Sequence, residues 1–159
     1  MTTIFTGQNP KLLDANPELV WLPVASTQTW TIGTPIYLNS GAATIVAEGV
    51  IPQFTAASSI AAPATSTLIP AYRWNVGSRM EVYVCATSAT AGAVGVANVG
   101  VAYDWTVIGT GATLVAYIQL NATTDACALV VDIAANYEPE RNNTTDSPGK
   151  CIIEVLKII

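Results

Sequence analysis

From Thr29 onward the chain carries its apolar residues in short runs with a period of two. In "RMEVYVC", Met80, Val82 and Val84 fall on one face and Glu81, Tyr83 and Cys85 on the other. Side chains that alternate between two faces are the signature of a strand. The same reading predicts strands in "TWTIG", "TPIYLN", "ATIVAEGVI", "AYRWN", "VAYDWTVIG", "TLVAYIQLN", "ACALVVDIAA" and "GKCIIEVLKII". Gly33 and the turn sequence "NSGA" (residues 39–42) separate the first of these, as Gly and Asn do where the backbone must reverse. No apolar stripe of helical period continues beyond about two turns. Short strands with regularly spaced turn signals predict an all-β domain, an antiparallel β-sandwich or a small barrel. The last run is apolar on both faces, with Ile152, Leu156 and Ile158 on one and Ile153 and Val155 on the other. It is therefore covered on both sides, at the centre of the domain or at an interface.

Three segments break the alternation. Residues 1–28 hold Pro10, Pro17 and Pro23 and no sustained period, so they predict an extended N-terminal arm. Its apolar anchors Phe5, Leu12, Leu13, Trp21 and Leu22 are the candidate partner contacts. The arm either straps its own domain or reaches a neighbouring chain. If it reaches out, a variant lacking residues 1–24 keeps its β structure and loses only binding. Residues 53–70 carry few large side chains and no charge, which predicts a long surface loop. Residues 136–150 form a strongly polar stretch, expected as a solvated loop before the last strand.

The stretch from Val82 to Tyr103 has no charged residue and is long enough to span a bilayer. Its bulky residues are nearly all Val, it contains Gly92, Gly95 and Gly100, and no Lys or Arg cluster flanks it. These features fit two β segments better than a membrane helix. The first residues lack a basic start followed by an apolar run, so no secretory signal is expected. The sequons at Asn121, Asn142 and Asn143 then read as coincidental.

Composition adds a second constraint. The chain of 159 residues is 51% apolar and only 11% charged, against roughly 25% charged in ordinary soluble domains. So little charge implies that part of the surface is covered by other chains. The formal net charge is −5 and the six Lys and Arg are scattered. This argues against nucleic-acid binding, which needs clustered cations to displace counterions.

Candidate chemistry is sparse. Without histidine there is no Ser-His or Cys-His dyad and no imidazole metal ligand. Cys85, Cys127 and Cys151 are too widely spaced for a zinc site or a disulfide framework, and are expected as buried thiols in strands. Asp104, Asp125 and Asp132 lie on separate segments. "IGTGATL" lacks the lysine and the helix of a phosphate loop and reads as a hairpin turn. "NATTD" and "NNTTD" read as turns rather than calcium loops. No catalytic, cofactor-binding or metal-ligating residue is assigned, no cofactor is implied, and the chain is not expected to be an enzyme. Trp21, Trp30, Trp74 and Trp105 are core or interface anchors, or alternatively a sugar-stacking platform.

"GTPIYLNSGAATIVA" resembles an element of tailed-bacteriophage capsid decoration (cement) proteins. "VGVAYDWTVIG", "LVVDIAANYEPERNN" and "GKCIIEVLKI" also resemble phage head proteins. The resemblance implies a β-rich protein, often a homotrimer, that grips the outer surface of a phage head and stabilises the lattice. The implied partner is the major capsid protein. The implied location is the capsid exterior of the virion, after assembly in the host bacterial cytoplasm. It implies no catalytic residues; the scattered cations and the β character of residues 82–103 give the expectation of no nucleic-acid or membrane partner. A carbohydrate-binding or adhesin-type β-sandwich module is the alternative from the residues alone.

Overall fold

A computed structural model describes residues 10–25, 27–46, 50–87, 90–108, 115–124, 126–133 and 149–156. The described strands are β1 (Lys11–Leu12), β2 (Leu19–Pro23), β3 (Thr29–Trp30), β4 (Pro35–Asn39), β5 (Ala42–Ile45), β6 (Phe54–Ala56), β7 (Ile60–Ala61), β8 (Leu68–Arg73), β9 (Arg79–Thr87), β10 (Thr90–Ala91), β11 (Ala102–Ile108), β12 (Val115–Gln119), β13 (Ala128–Ile133) and β14 (Lys150–Val155). A single 3-10 turn, Val96–Asn98, is the only helical element among the described residues. The fold is all-β.

Strand β9 pairs with β12, β12 with β11, β11 with β13, β13 with β14, and β14 again with β9. Five strands thus close on themselves into a small barrel, which leaves that ring without open edges. The closure depends on the length of β9. Its first half, Arg79 to Tyr83, pairs antiparallel with β14, and Val84 and Cys85 pair with β12. The β9–β12 ladder is parallel, with Ile118 opposite Val84, a departure from the all-antiparallel pairing expected. The alternation on β9 holds: Met80, Val82 and Val84 fill the barrel at 1% exposure or less. Residues from the other four strands, among them Trp105, Ile118, Val130 and Ile153, complete this core. Strand β14 is paired on both edges, but only one of its faces is covered: Cys151, Ile153 and Val155 are buried, whereas Ile152 is half-buried and Leu156 is 40% exposed, so the expected cover on both faces is not met. At its start Gly149 approaches so closely that a Cβ there would sit 2.7 Å from the backbone nitrogen of Val94.

A second sheet has the order β2-β8-β6-β4-β5. The "NSGA" sequence makes the β4–β5 hairpin, with Asn39 opposite Ala42. Ser40 and Gly41 both have positive φ, as a two-residue type I′ turn demands. The outer strands of this sheet converge at one end. Val24 bridges to Ala43, and the Ala25 N–H donates to the Ala43 carbonyl at 3.2 Å. Leu22, Val24, Trp30, Ile36, Phe54 and Ile69 fill the space between its strands.

Trp74, just after β8, joins the two sheets. Its backbone N–H donates to the Gln53 carbonyl at 2.9 Å, and its indole N–H donates to Thr55 Oγ1 at 2.6 Å. Its ring packs on Trp105 of the barrel at 5.4 Å between centroids and a 48° tilt. A tilted aromatic pair of this kind adds about 0.5–1.5 kcal/mol to the burial of its area.

Two expectations change. The segment 53–70 is not one long surface loop: it contains β6, β7 and the start of β8, and β6 is buried throughout. Its small residues are the reason, because Ala56 lies opposite Ala71 where strands pack into the core. From Pro10 to Ala25 the N-terminal segment straps its own domain. Strand β1 pairs with β9, β2 pairs with β8, and Leu22 and Val24 are core residues. Asp14 fastens the strap by accepting from the Ser78 hydroxyl at 2.8 Å. Phe5 and the rest of residues 1–9 lie outside the described residues, as do nearly all of the polar stretch 136–150 and the sequons at Asn142 and Asn143. The uncharged stretch 82–103 covers β9 from Val82 onward, β10, the 3-10 turn and the start of β11. Among the described residues no helix is long and apolar enough to cross a membrane.

Removal of residues 1–24 is therefore expected to damage the fold rather than spare it. Unburying Leu22 and Val24 alone forgoes about 3–6 kcal/mol, a large part of an ordinary stability of roughly 5–15 kcal/mol. The milder Leu22→Ala variant should lose about 2–5 kcal/mol in a denaturant titration.

Cys85, Cys127 and Cys151 are all buried and none forms a disulfide. Burial pushes the Cys151 thiol far above its ordinary value. Native protein at pH 8 should therefore not react with a thiol reagent, and denatured protein should titrate three thiols. An ordinary thiol ionises near pH 8.5 in the unfolded chain. The unfolded state thus releases this proton first, and stability should fall as pH rises above that value. The slope for Cys151 is about 1.4 kcal/mol per pH unit.

Candidate functional site

Among the described residues, an apolar exposure gathers on the outer face of β2 and β8. The register sets Leu19 opposite Tyr72, Trp21 opposite Pro70, and Pro23 opposite Leu68. Alternation sends these six side chains outward, while Val20 and Leu22 turn toward Ala71 and Ile69. Leu19 is 50%, Trp21 61% and Leu68 59% exposed. Three large apolar side chains side by side are not the scattered single exposures ordinary on a soluble surface.

Tyr72 continues this strip into a groove of about 300 Å³ lined by Pro10, Leu12, Pro17, Ile32, Gly33, Thr55, Ala56 and Tyr72. One wall is the N-terminal strap and the other is the second sheet. Gly33 holds a φ of 90° and donates to the Ala56 carbonyl at 2.8 Å, so the turn beside it needs a residue without Cβ. That turn leaves Ile32 61% exposed at the rim. The volume is at the lower end for small-molecule sites.

Three cations of the described residues are paired with carboxylates. Arg73 pairs with Glu18 at 2.9 Å, and its guanidinium also lies 5.5 Å from the centre of the Phe54 ring. Arg79 pairs with Glu154 at 3.2 Å, and Lys150 with Glu81 at 3.3 Å. Pairing of this kind lowers the field that these three cations present to an acidic partner, while Lys11 on β1 is exposed beside the groove.

The candidate contacts divide. Trp21 stands in the middle of the exposed strip, Leu12 lines the groove, and Leu13 is 42% exposed beside it. Leu22 faces inward at 8% exposure and is a core residue, so it is withdrawn as a partner contact. Phe5 lies outside the described residues. Leu19, Leu68, Pro70 and Tyr72 were missed. The available signal was the alternation of β2, which separates Trp21 from Leu22 once a strand is placed there.

No catalytic constellation forms among the described carboxylates. Asp104 is buried on β11 opposite Gln119, whereas Asp132 sits at a bulge of β13 and accepts from the Ile133 N–H at 2.8 Å. Asp125 lies outside the described residues. Among the described residues no group of three or more His, Cys, Asp or Glu is placed to hold a metal ion. Ile108 pairs with Val115, so residues 109–114 of the glycine-rich sequence connect two antiparallel strands, and lie outside the described residues. Of the tryptophans, Trp30, Trp74 and Trp105 are 1% exposed and Trp21 alone is open.

Comparison with family models, with curated proteins and with solved structures returns no match.

Proposed function

We propose that this chain is a structural decoration subunit that binds the outer surface of a phage head through the apolar face of β2, β8 and the adjoining groove. One observation supports the reading most: Leu19, Trp21 and Leu68 lie exposed side by side in a chain with only 11% charged residues. Such a face needs a covering partner. The same chain offers no assembled catalytic group among its described residues. A rigid strip of Trp, Tyr, Leu and Pro orders little on binding, which favours contact at low entropic cost. The partner is the major capsid protein in its assembled form. A subunit that binds the lattice and not its dissociated parts shifts the equilibrium toward the shell by mass action.

A sugar-binding module is less well supported, because a stacking platform needs neighbouring open aromatic faces and only Trp21 among the tryptophans supplies one. A glycan array distinguishes the two readings: sugar binding abolished by Trp21→Ala would replace the decoration role.

Particles stripped of the protein should resist heat less than complete ones and recover on its return. Recovery should be nearly equal at low and high salt, since the contact is apolar and hydrogen-bonded. Trp21→Ala should weaken shell binding by about 2 kcal/mol, roughly thirtyfold, as for a central aromatic anchor. Circular dichroism should stay unchanged, because Trp21 is outside the core. Stripped particles as heat-resistant as complete ones would refute the decoration role.

A further inference from the structure

Among the described residues no strand pairs with the second edge of β2 before Val24. Strand β2 ends the sheet order and uses one edge for β8. The Arg73 N–H donates to the Glu18 carbonyl and the Val24 N–H to the Thr67 carbonyl, both at 2.9 Å. Because antiparallel ladders alternate, the even residues of β2 face β8 and the odd residues face away. The Ala25 N–H obeys this rule and closes on Ala43 of β5. Farther back, the N–H and C=O groups of Leu19 and Trp21 point to the open side.

The sequence around that edge, Pro17-Glu18-Leu19-Val20-Trp21-Leu22-Pro23, is symmetric in its hydrogen-bonding capacity about Val20. Both prolines lack an N–H and bracket the strand at equal distance. We infer that a second copy of this chain is the occupant, joined by antiparallel β2–β2 pairing about a two-fold axis at Val20. In that register Leu19 faces Trp21 of the second copy and Trp21 faces its Leu19. These are two hydrogen-bonded pairs that use every outward N–H between the prolines. Pro17 falls opposite Pro23, where no N–H is available, so the ladder stops and the contact closes at two copies. The two Glu18 residues stand about 13 Å apart along the strands, each already paired with its own Arg73, so no like charges meet. On the outward side Trp21 packs beside Leu19 of the other copy, a favourable aromatic–aliphatic neighbour pair.

Pairing joins the two sheets edge to edge and doubles the apolar strip while leaving it open to a further partner. The inference does not depend on the phage-head reading. It replaces the trimer implied by resemblance with a dimer.

Sedimentation equilibrium of the full chain from micromolar to millimolar concentration should show a reversible monomer–dimer equilibrium. Leu19→Pro removes an outward N–H without touching the β8 ladder, so it should weaken dimerisation at least tenfold with the circular dichroism unchanged. If that variant loses its β signal, Val20→Cys decides. Its thiols meet across the axis at disulfide range, so mild oxidation should give a covalent dimer, whereas Leu68→Cys, exposed but away from the edge, should not. A chain that is monomeric throughout, a trimer, a Leu19→Pro variant that dimerises like the parent, or equal cross-linking of the two cysteine variants would each overturn the inference.

Discussion

The barrel depends on one strand having different partners along its length. Strand β9 binds β14 through its first half and reaches β12 with Val84 and Cys85, and that exchange closes the ring. Its inward residues Met80, Val82 and Val84 are also the floor of the core. The edge of β9 opposite β14 takes β1 at Glu81 and Met80, so the same strand holds the N-terminal strap. Trp74 then transmits the position of the barrel to the second sheet through Trp105. The arrangement has a cost. Among the described residues the buried Trp105 indole N–H has no hydrogen-bond partner; a donor left unpaired costs about 1–3 kcal/mol, which the surrounding apolar contacts must offset.

The apolar face is a consequence of this framework. With β2 fixed on β8 and the strap fixed on β9, Leu19, Trp21, Leu68 and Tyr72 are presented by hydrogen-bonded strands. A mobile arm would have to be ordered on every encounter; a sheet face carries that entropy loss within the folded state. This changes how the N-terminal segment is understood. Its apolar residues have two destinations, with Leu22 and Val24 holding the sheet together and Leu19 and Trp21 facing out.

Much of this was legible in the chain. Period-two alternation located β9, β11, β13 and β14, and "NSGA" located a hairpin, because those signals are local. The parallel β9–β12 ladder was not legible, since it joins residues distant in sequence through register alone. Strand β6 was hidden because a strand packed closely against Ala71 has no need of bulk. Strand β2 was hidden because prolines suggest irregular backbone; here Pro23 occupies an outward edge position where no ladder N–H is lost. The face itself followed from neither composition nor motif. It required knowing that β2 lies beside β8, which brings Trp21 and Leu68 together across 47 positions of sequence.

Hydrogen exchange in the presence and absence of assembled phage heads tests the central claim most directly. The account predicts that heads slow exchange in the segments that build the face, residues 10–23 and 68–73, while β11 to β14 exchange as in the free protein. Protection confined to the barrel strands, or no protection at all, would contradict it.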